Sequence, residues 1–154
     1  MISDEVYLFF VDRALDGMAE ILQDLGDELA NRRPDLPGAN SPYVIVTHCL
    51  AVIDYWAGHL VAGRVVERDR DAEFTASGPV GGLVARIAAA RWMLRDDVTT
   101  AEPAAALRAE PPPHYRLLPG ITQGWALQHV YEELAQHLGH LELTRDFLRA
   151  LPSR

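Results

Sequence analysis

The sequence contains no lysine: its 14 basic residues are all arginine, set against 22 acidic ones for a formal net charge of -8. A chain this short of cationic charge has no clustered basic surface with which to hold nucleic acid or an anionic membrane, so neither is expected as a partner. Cysteine is scarce too. The single thiol, Cys49, has nothing to pair with inside the chain, and no adjacent cation favours its thiolate, so it is expected to be a small buried hydrophobe. The opening stretch MISDEVYLFF lacks the basic flank and cleavage site of a signal peptide, and a cytoplasmic protein is expected. Only Tyr43 to Ala62 is long and apolar enough for a bilayer. It carries His48, Asp54 and His59, each costly in hydrocarbon, and reads as a buried core helix. Strand signals are missing as well, with no alternating run bounded by hairpin turns.

What remains is helical. With 154 residues, 49% hydrophobic and 23% charged, the chain suits a single domain over 1–154 with one core. Ser3 caps a first helix through YLFFVDRALDGMAEILQDLGDELA, supported by Asp4 and Glu5 in its first turn and ended by NRRPDLPGAN. Ser41 followed by Pro42 opens a second helix that Gly63 closes. The polar link RVVERDRDAEFTASGP leads to a third helix, about Val80 to Val98, and the proline-rich EPPPHYRLLPG separates it from a fourth, near Thr122 to Leu151. The expected fold is all-α, a four-helix bundle with long inter-helix connections, in which a buried site is built from side chains on facing helices.

The fourth helix carries the chemistry. HVYEELAQHLGH, residues 129–140, holds three histidines and three acid or amide side chains on what is otherwise a helical pattern. At about 100° per residue, Trp125, His129, Glu133, Gln136, His137, His140 and Thr144 share one stripe roughly 120° wide, beside an apolar stripe of Val130, Leu134, Leu138, Leu141 and Leu148. The titratable face therefore borders the core. Glu133 and His137 are one turn apart and can converge on one ion, or form an intrahelical ion pair. His129 and His137 are two turns apart, too far to share an ion directly. On the second helix, His48 lies among Val44, Ile45, Val52, Tyr55 and Trp56, a face that points inward, where a neutral imidazole needs a hydrogen bond or a metal. That second inward imidazole favours the metal. His59 lies about 16 Å further along the axis and cannot join His48 at one ion. His59 and His114 are expected to be satisfied structural histidines, and Trp56, Trp92 and Trp125 core residues.

SPYVIVTHCLAVIDYW, RDRDAEF and GWALQHVYEELAQHLGHLELTRDFL together resemble the DinB-like superfamily of small helical metalloproteins, in particular its actinobacterial branch of mycothiol-dependent enzymes. The resemblance implies a metal held by His48, Glu133 and His137. Glutamate stands at 133 where histidine is commoner, as in the N-terminal domains of mycothiol-dependent maleylpyruvate isomerases. His140 stands where glutamine is usual and offers a rival donor beside His137. The activity implied is a metal-dependent thiol S-transfer to an electrophilic small molecule. Mycothiol is the first choice of thiol and zinc of metal, with nickel and iron compatible with the ligand types. His129 and His140 become proton-transfer candidates beside the metal. Arg68 and Arg70 either meet an anionic substrate or sit in a capped, solvated loop. Two other readings stay open: a metal-free bundle that binds a small molecule in biosynthesis or detoxification, and a dimeric interaction protein without catalysis. Tyr7, Leu8, Phe9, Phe10 and Val11 form too wide an apolar arc for a helix packed on one side, so a homodimer through the first helix is expected.

Overall fold

A computed structural model of the chain describes residues 3–111 and 120–150, so His114 and the end of the last helix at Leu151 lie outside the described residues. The described chain is all-helical, 73% helix and without strands. Helix α1 spans Asp4–Asn31 and begins where the Ser3 hydroxyl accepts the Val6 N–H at 3.3 Å. Its residues Val11, Leu15, Met18 and Leu22 are fully buried, at the three- and four-residue spacing that turns one face to a core. Tyr7, also buried, donates its hydroxyl to the Leu127 carbonyl at 2.8 Å and so satisfies its one polar group.

Helix α2, Pro42–Val52, opens as expected on the Ser41 hydroxyl, which accepts the Val44 N–H at 3.2 Å. It then passes without a break into a π-helical segment, Ile53–Val61, whose last turn is closed by the Ala62 N–H on the Ala57 carbonyl at 2.9 Å. Apolar periodicity does not distinguish the two windings, because this helix is apolar nearly all round. By length and composition Pro42–Val61 is sufficient to cross a membrane, but 72% of its most apolar stretch is buried within the protein. Gly63, at φ 76°, turns the chain out of the helix in the left-handed region that a side chain disfavours. Arg64 then folds back across Gly58, where an added Cβ would collide with the guanidinium. Its Nε and Nη2 donate to the two carboxylate oxygens of the buried Asp97 at 3.0 and 2.8 Å, fastening the end of the π-helical segment to the next long helix.

The polar link is not merely a link. It contains a short helix α3, Arg70–Thr75, capped by the Asp69 side chain on the Ala72 N–H at 2.9 Å. Six residues are too few to leave a periodic signature. Helix α4 spans Val80–Thr99 and buries Val80, Leu83, Ile87, Ala90, Leu94 and Val98. Trp92 lies off that stripe and is 71% exposed, which corrects the expectation that it belongs to the core. Helix α5 spans Gln123–Ala150. Gln123 ties its start to the preceding connection, accepting the Glu102 N–H and donating to the Ala106 carbonyl, both at 2.9 Å. An isolated antiparallel bridge, Ala106 to Thr122, accompanies it.

The four long elements therefore pack as the expected bundle. Helix α1 lies against α4 and α5, and the π-helical segment against the same two. Helix α2 faces α5 from one side while α3 packs on α2. That arrangement brings three separate parts of the chain to one place on α2.

Candidate metal centre

His48 reaches that place from α2, and Glu133 and His137 from successive turns of α5. One donor atom from each lies within 4.8 Å of the others. The His48 Nε2 is 3.6 Å and the His137 Nε2 3.3 Å from the same Glu133 oxygen, Oε2, and the two imidazole rings meet edge to face at 5.1 Å. The side chains are 12%, 25% and 26% exposed, so the cluster lies at the wall of the bundle, open on one side. The Glu133 carboxyl is held far below the usual carboxylate range by its hydrogen bonds with His137 and His48, with the His129 and His137 charges adding to them and burial opposing.

Behind His48 stands a residue that the sequence reading did not single out. The Glu73 Oε2 is 2.8 Å from the His48 Nδ1, and the carboxylate also accepts two hydrogen bonds from Arg68, at 2.7 Å from Nε and 3.1 Å from Nη2. Burial pushes the Glu73 carboxyl up, but the hydrogen bonds from Arg68 and His48 outweigh it and leave the group below its ordinary value. Glu73 is separated by 25 residues from the histidine it meets. Its only sequence signal was membership of RDRDAEF. The other face of His48 stacks on Phe74 at 5.6 Å.

The two proton-transfer candidates lie in unlike surroundings. His129 is buried, with its ring 4.6 Å from Trp56 and 5.4 Å from Trp125, and its Nε2 is 3.6 Å from the Glu133 Oε1. His140 is on the exposed side of α5, 6.0 Å ring to ring from His137. Partial burial, with a smaller contribution from the His137 charge, lowers its pKa. His140 is outside the cluster of mutually close donors.

The remaining residues of interest divide cleanly. Cys49 is fully buried, and burial above all, then the Glu133 charge, pushes its thiol far above its ordinary value, so it is no nucleophile. The His59 Nδ1 pairs with the Arg64 carbonyl at 2.8 Å, a satisfied structural histidine. Arg68 is neither solvated nor free for a substrate, since it is 12% exposed and engaged on Glu73, with its guanidinium 5.6 Å from the Tyr55 ring. Arg70 is exposed, with its guanidinium 5.7 Å from the Phe74 ring.

Fold and cluster together define a helical-bundle protein with two imidazoles and a carboxylate converging at one wall. Residues 7–150 match the sequence model of the family described as Mycothiol-S-transferase, and the chain belongs to that DinB-like family. Among solved structures it is similar to one titled "Crystal structure of the conserved protein of locus from Enterococcus faecalis", with 14% identity over 98% of this chain and 99% of that one and a TM-score of 0.75. That likeness concerns the fold. No curated protein matches the chain.

Proposed function

We propose that this protein is a metal-dependent thiol S-transferase that joins a low-molecular-weight thiol, mycothiol first, to an electrophilic small molecule, with His48, Glu133 and His137 holding the metal. The observation that carries the reading is the convergence of those three donors, from two helices, in a chain of the mycothiol-S-transferase family. The donor set fits a divalent cation. It pairs two imidazole nitrogens with a carboxylate held in its charged form, and its open side leaves room for further ligands. Zinc suits these ligand types best, and nickel and iron are compatible with them.

When bound, the ion supplies the Lewis acidity that favours the thiolate over a thiol of free pKa about 8.5. The chain's own residues do the rest. His140, exposed and with a lowered pKa, is a neutral base at neutral pH and takes up the thiol proton. The sulfur lone pair then forms the bond to the electrophilic carbon, while the displaced electron pair leaves with the leaving group or receives the returning proton. His129, with its Nε2 3.6 Å from the far oxygen of Glu133, limits the movement of that carboxylate. The buried aromatic wall of Trp56 beside it excludes water from this side of the cluster.

The test is thiol consumption by protein purified without a histidine tag, measured over a panel of electrophiles with and without added divalent metal. Metal-dependent turnover of at least one electrophile is expected. Tight binding of an apolar ligand with no metal and no turnover would instead support a binding bundle.

A cytoplasmic setting is part of the proposal, and so is a homodimer through α1. Phe9 and Phe10 are 62% and 41% exposed near the start of α1, while Tyr7 and Val11 on either side of them are buried. Two adjacent aromatic rings so exposed on one helix favour a second copy as their cover. Sedimentation at increasing concentration is expected to give twice the chain mass for the natural protein and the single-chain mass for Phe9→Asp. A natural protein that remains a monomer at high micromolar concentration rules out the dimer and leaves the metal centre untouched.

A further inference from the structure

We propose that Glu73 is a positioning residue that fixes the tautomer and tilt of His48, so that α3 and the link before it set the geometry of the metal centre. The inference rests on the metal reading above and adds a residue to it. An ionised carboxylate only accepts hydrogen bonds, so the 2.8 Å contact requires the His48 Nδ1 to carry the hydrogen. The Nε2, which faces Glu133 and His137, is then the nitrogen left for the ion. Free of such a constraint, the ring could place its hydrogen on either nitrogen, and the Nε2–H form has no lone pair to offer there.

The carboxylate is itself held from three sides. Arg68 grips both oxygens in a fork, its guanidinium rests 5.6 Å from the Tyr55 ring of the π-helical segment, and Glu73 is only 4% exposed. Phe74, the next residue, stacks on the far face of the His48 ring at 5.6 Å and limits its rotation. Two consecutive residues of α3 thus hold one imidazole by its edge and by its face. Helix α3 makes its main packing contact with α2. Nothing in that packing alone requires a buried glutamate, which costs free energy unless its charge is matched.

The experiment has two arms. In metal-free protein at pH 7.5, nitrogen-detected NMR of the imidazoles is expected to show hydrogen on the His48 Nδ1, and Glu73→Ala to leave that nitrogen only partly protonated. In chelator competition with zinc, Glu73→Ala is expected to weaken binding by about 10–100-fold, the range found when such outer partners are removed. Glu73→Gln, which can still accept through its amide oxygen, is expected to recover part of that loss. A His48 tautomer that is the same with and without Glu73 overturns the proposal, as does an unchanged zinc affinity in Glu73→Ala. Should the alanine variant fail to fold, Glu73→Leu, of similar size and unable to accept the Nδ1–H, decides: unchanged zinc affinity in it also overturns the assignment. If the natural protein binds no zinc, the metal reading fails. The NMR arm still decides what Glu73 does to His48.

Discussion

Replacing His137 with alanine is expected to remove both the metal and the thiol-transfer activity while leaving helix content almost unchanged. His137 contributes one of three donors, and a site reduced to His48 and Glu133 has only two, from different helices. Its loss from the fold is small by contrast. The side chain is 26% exposed, and the core contacts of this stretch of α5 come from Leu134 and Leu141, both fully buried and untouched by the change. A substitution at so open a position costs the metal-free protein no more than about 1 kcal/mol. The difference appears when zinc is added. A ligand that binds only the folded state stabilises it by about 2.7 kcal/mol at a hundredfold excess over Kd, equivalent to roughly 5–10 °C in a domain of this size. The natural protein should show that thermal shift and His137→Ala should not. Equal shifts in both would mean that the ion is held elsewhere.

The fourth helix was legible because it is long and because its chemistry obeys the helical period. Trp125, His129, Glu133 and His137 recur every four residues, which places them on one wall of any α-helix. His48 was legible for a related reason: a histidine among Val44, Ile45 and Val52 has no inward partner on its own helix, so it requires one from elsewhere. Glu73 was not legible. It lies in a six-residue helix within a charged link, where a glutamate among Arg68, Asp69, Arg70 and Asp71 reads as one more solvated charge. Only the tertiary contact with His48 distinguishes it. The π-helical winding of Ile53–Val61 escaped because two polar positions, Asp54 and His59, are too few in nine residues for their drift to report its pitch. Trp92 shows that size and hydrophobicity alone misplace a residue. Its neighbours Ala90 and Leu94 define the buried stripe of α4, and a position two residues from either falls on the opposite side.

Glu133→Gln and His140→Gln separate the two donor sets that α5 can offer. The glutamine at 133 keeps the size of the side chain but loses the charge, and zinc affinity is expected to fall by more than the roughly 100-fold that bounds the loss of an outer partner. His140→Gln is expected to leave zinc bound and to slow thiol transfer, because His140 is outside the donor cluster yet 6.0 Å ring to ring from His137, where it can take up a proton beside the ion. The Glu133 variant carries a second signature that requires no metal. Its carboxyl is depressed in the folded chain by hydrogen bonds with His137 and His48, so its ionised form stabilises the fold. That contribution is fully present above the ordinary carboxylate value of about 4.3 and is lost as pH falls through the depressed one. Because the side chain is 25% exposed, solvent screening keeps it to the order of 1 kcal/mol. Metal-free Glu133→Gln should therefore be less stable than the natural protein at pH 6, and the two urea unfolding curves should converge towards pH 2. Zinc stripped by His140→Gln and retained by Glu133→Gln would transfer the second α5 donor from Glu133 to His140, about two turns further along the helix.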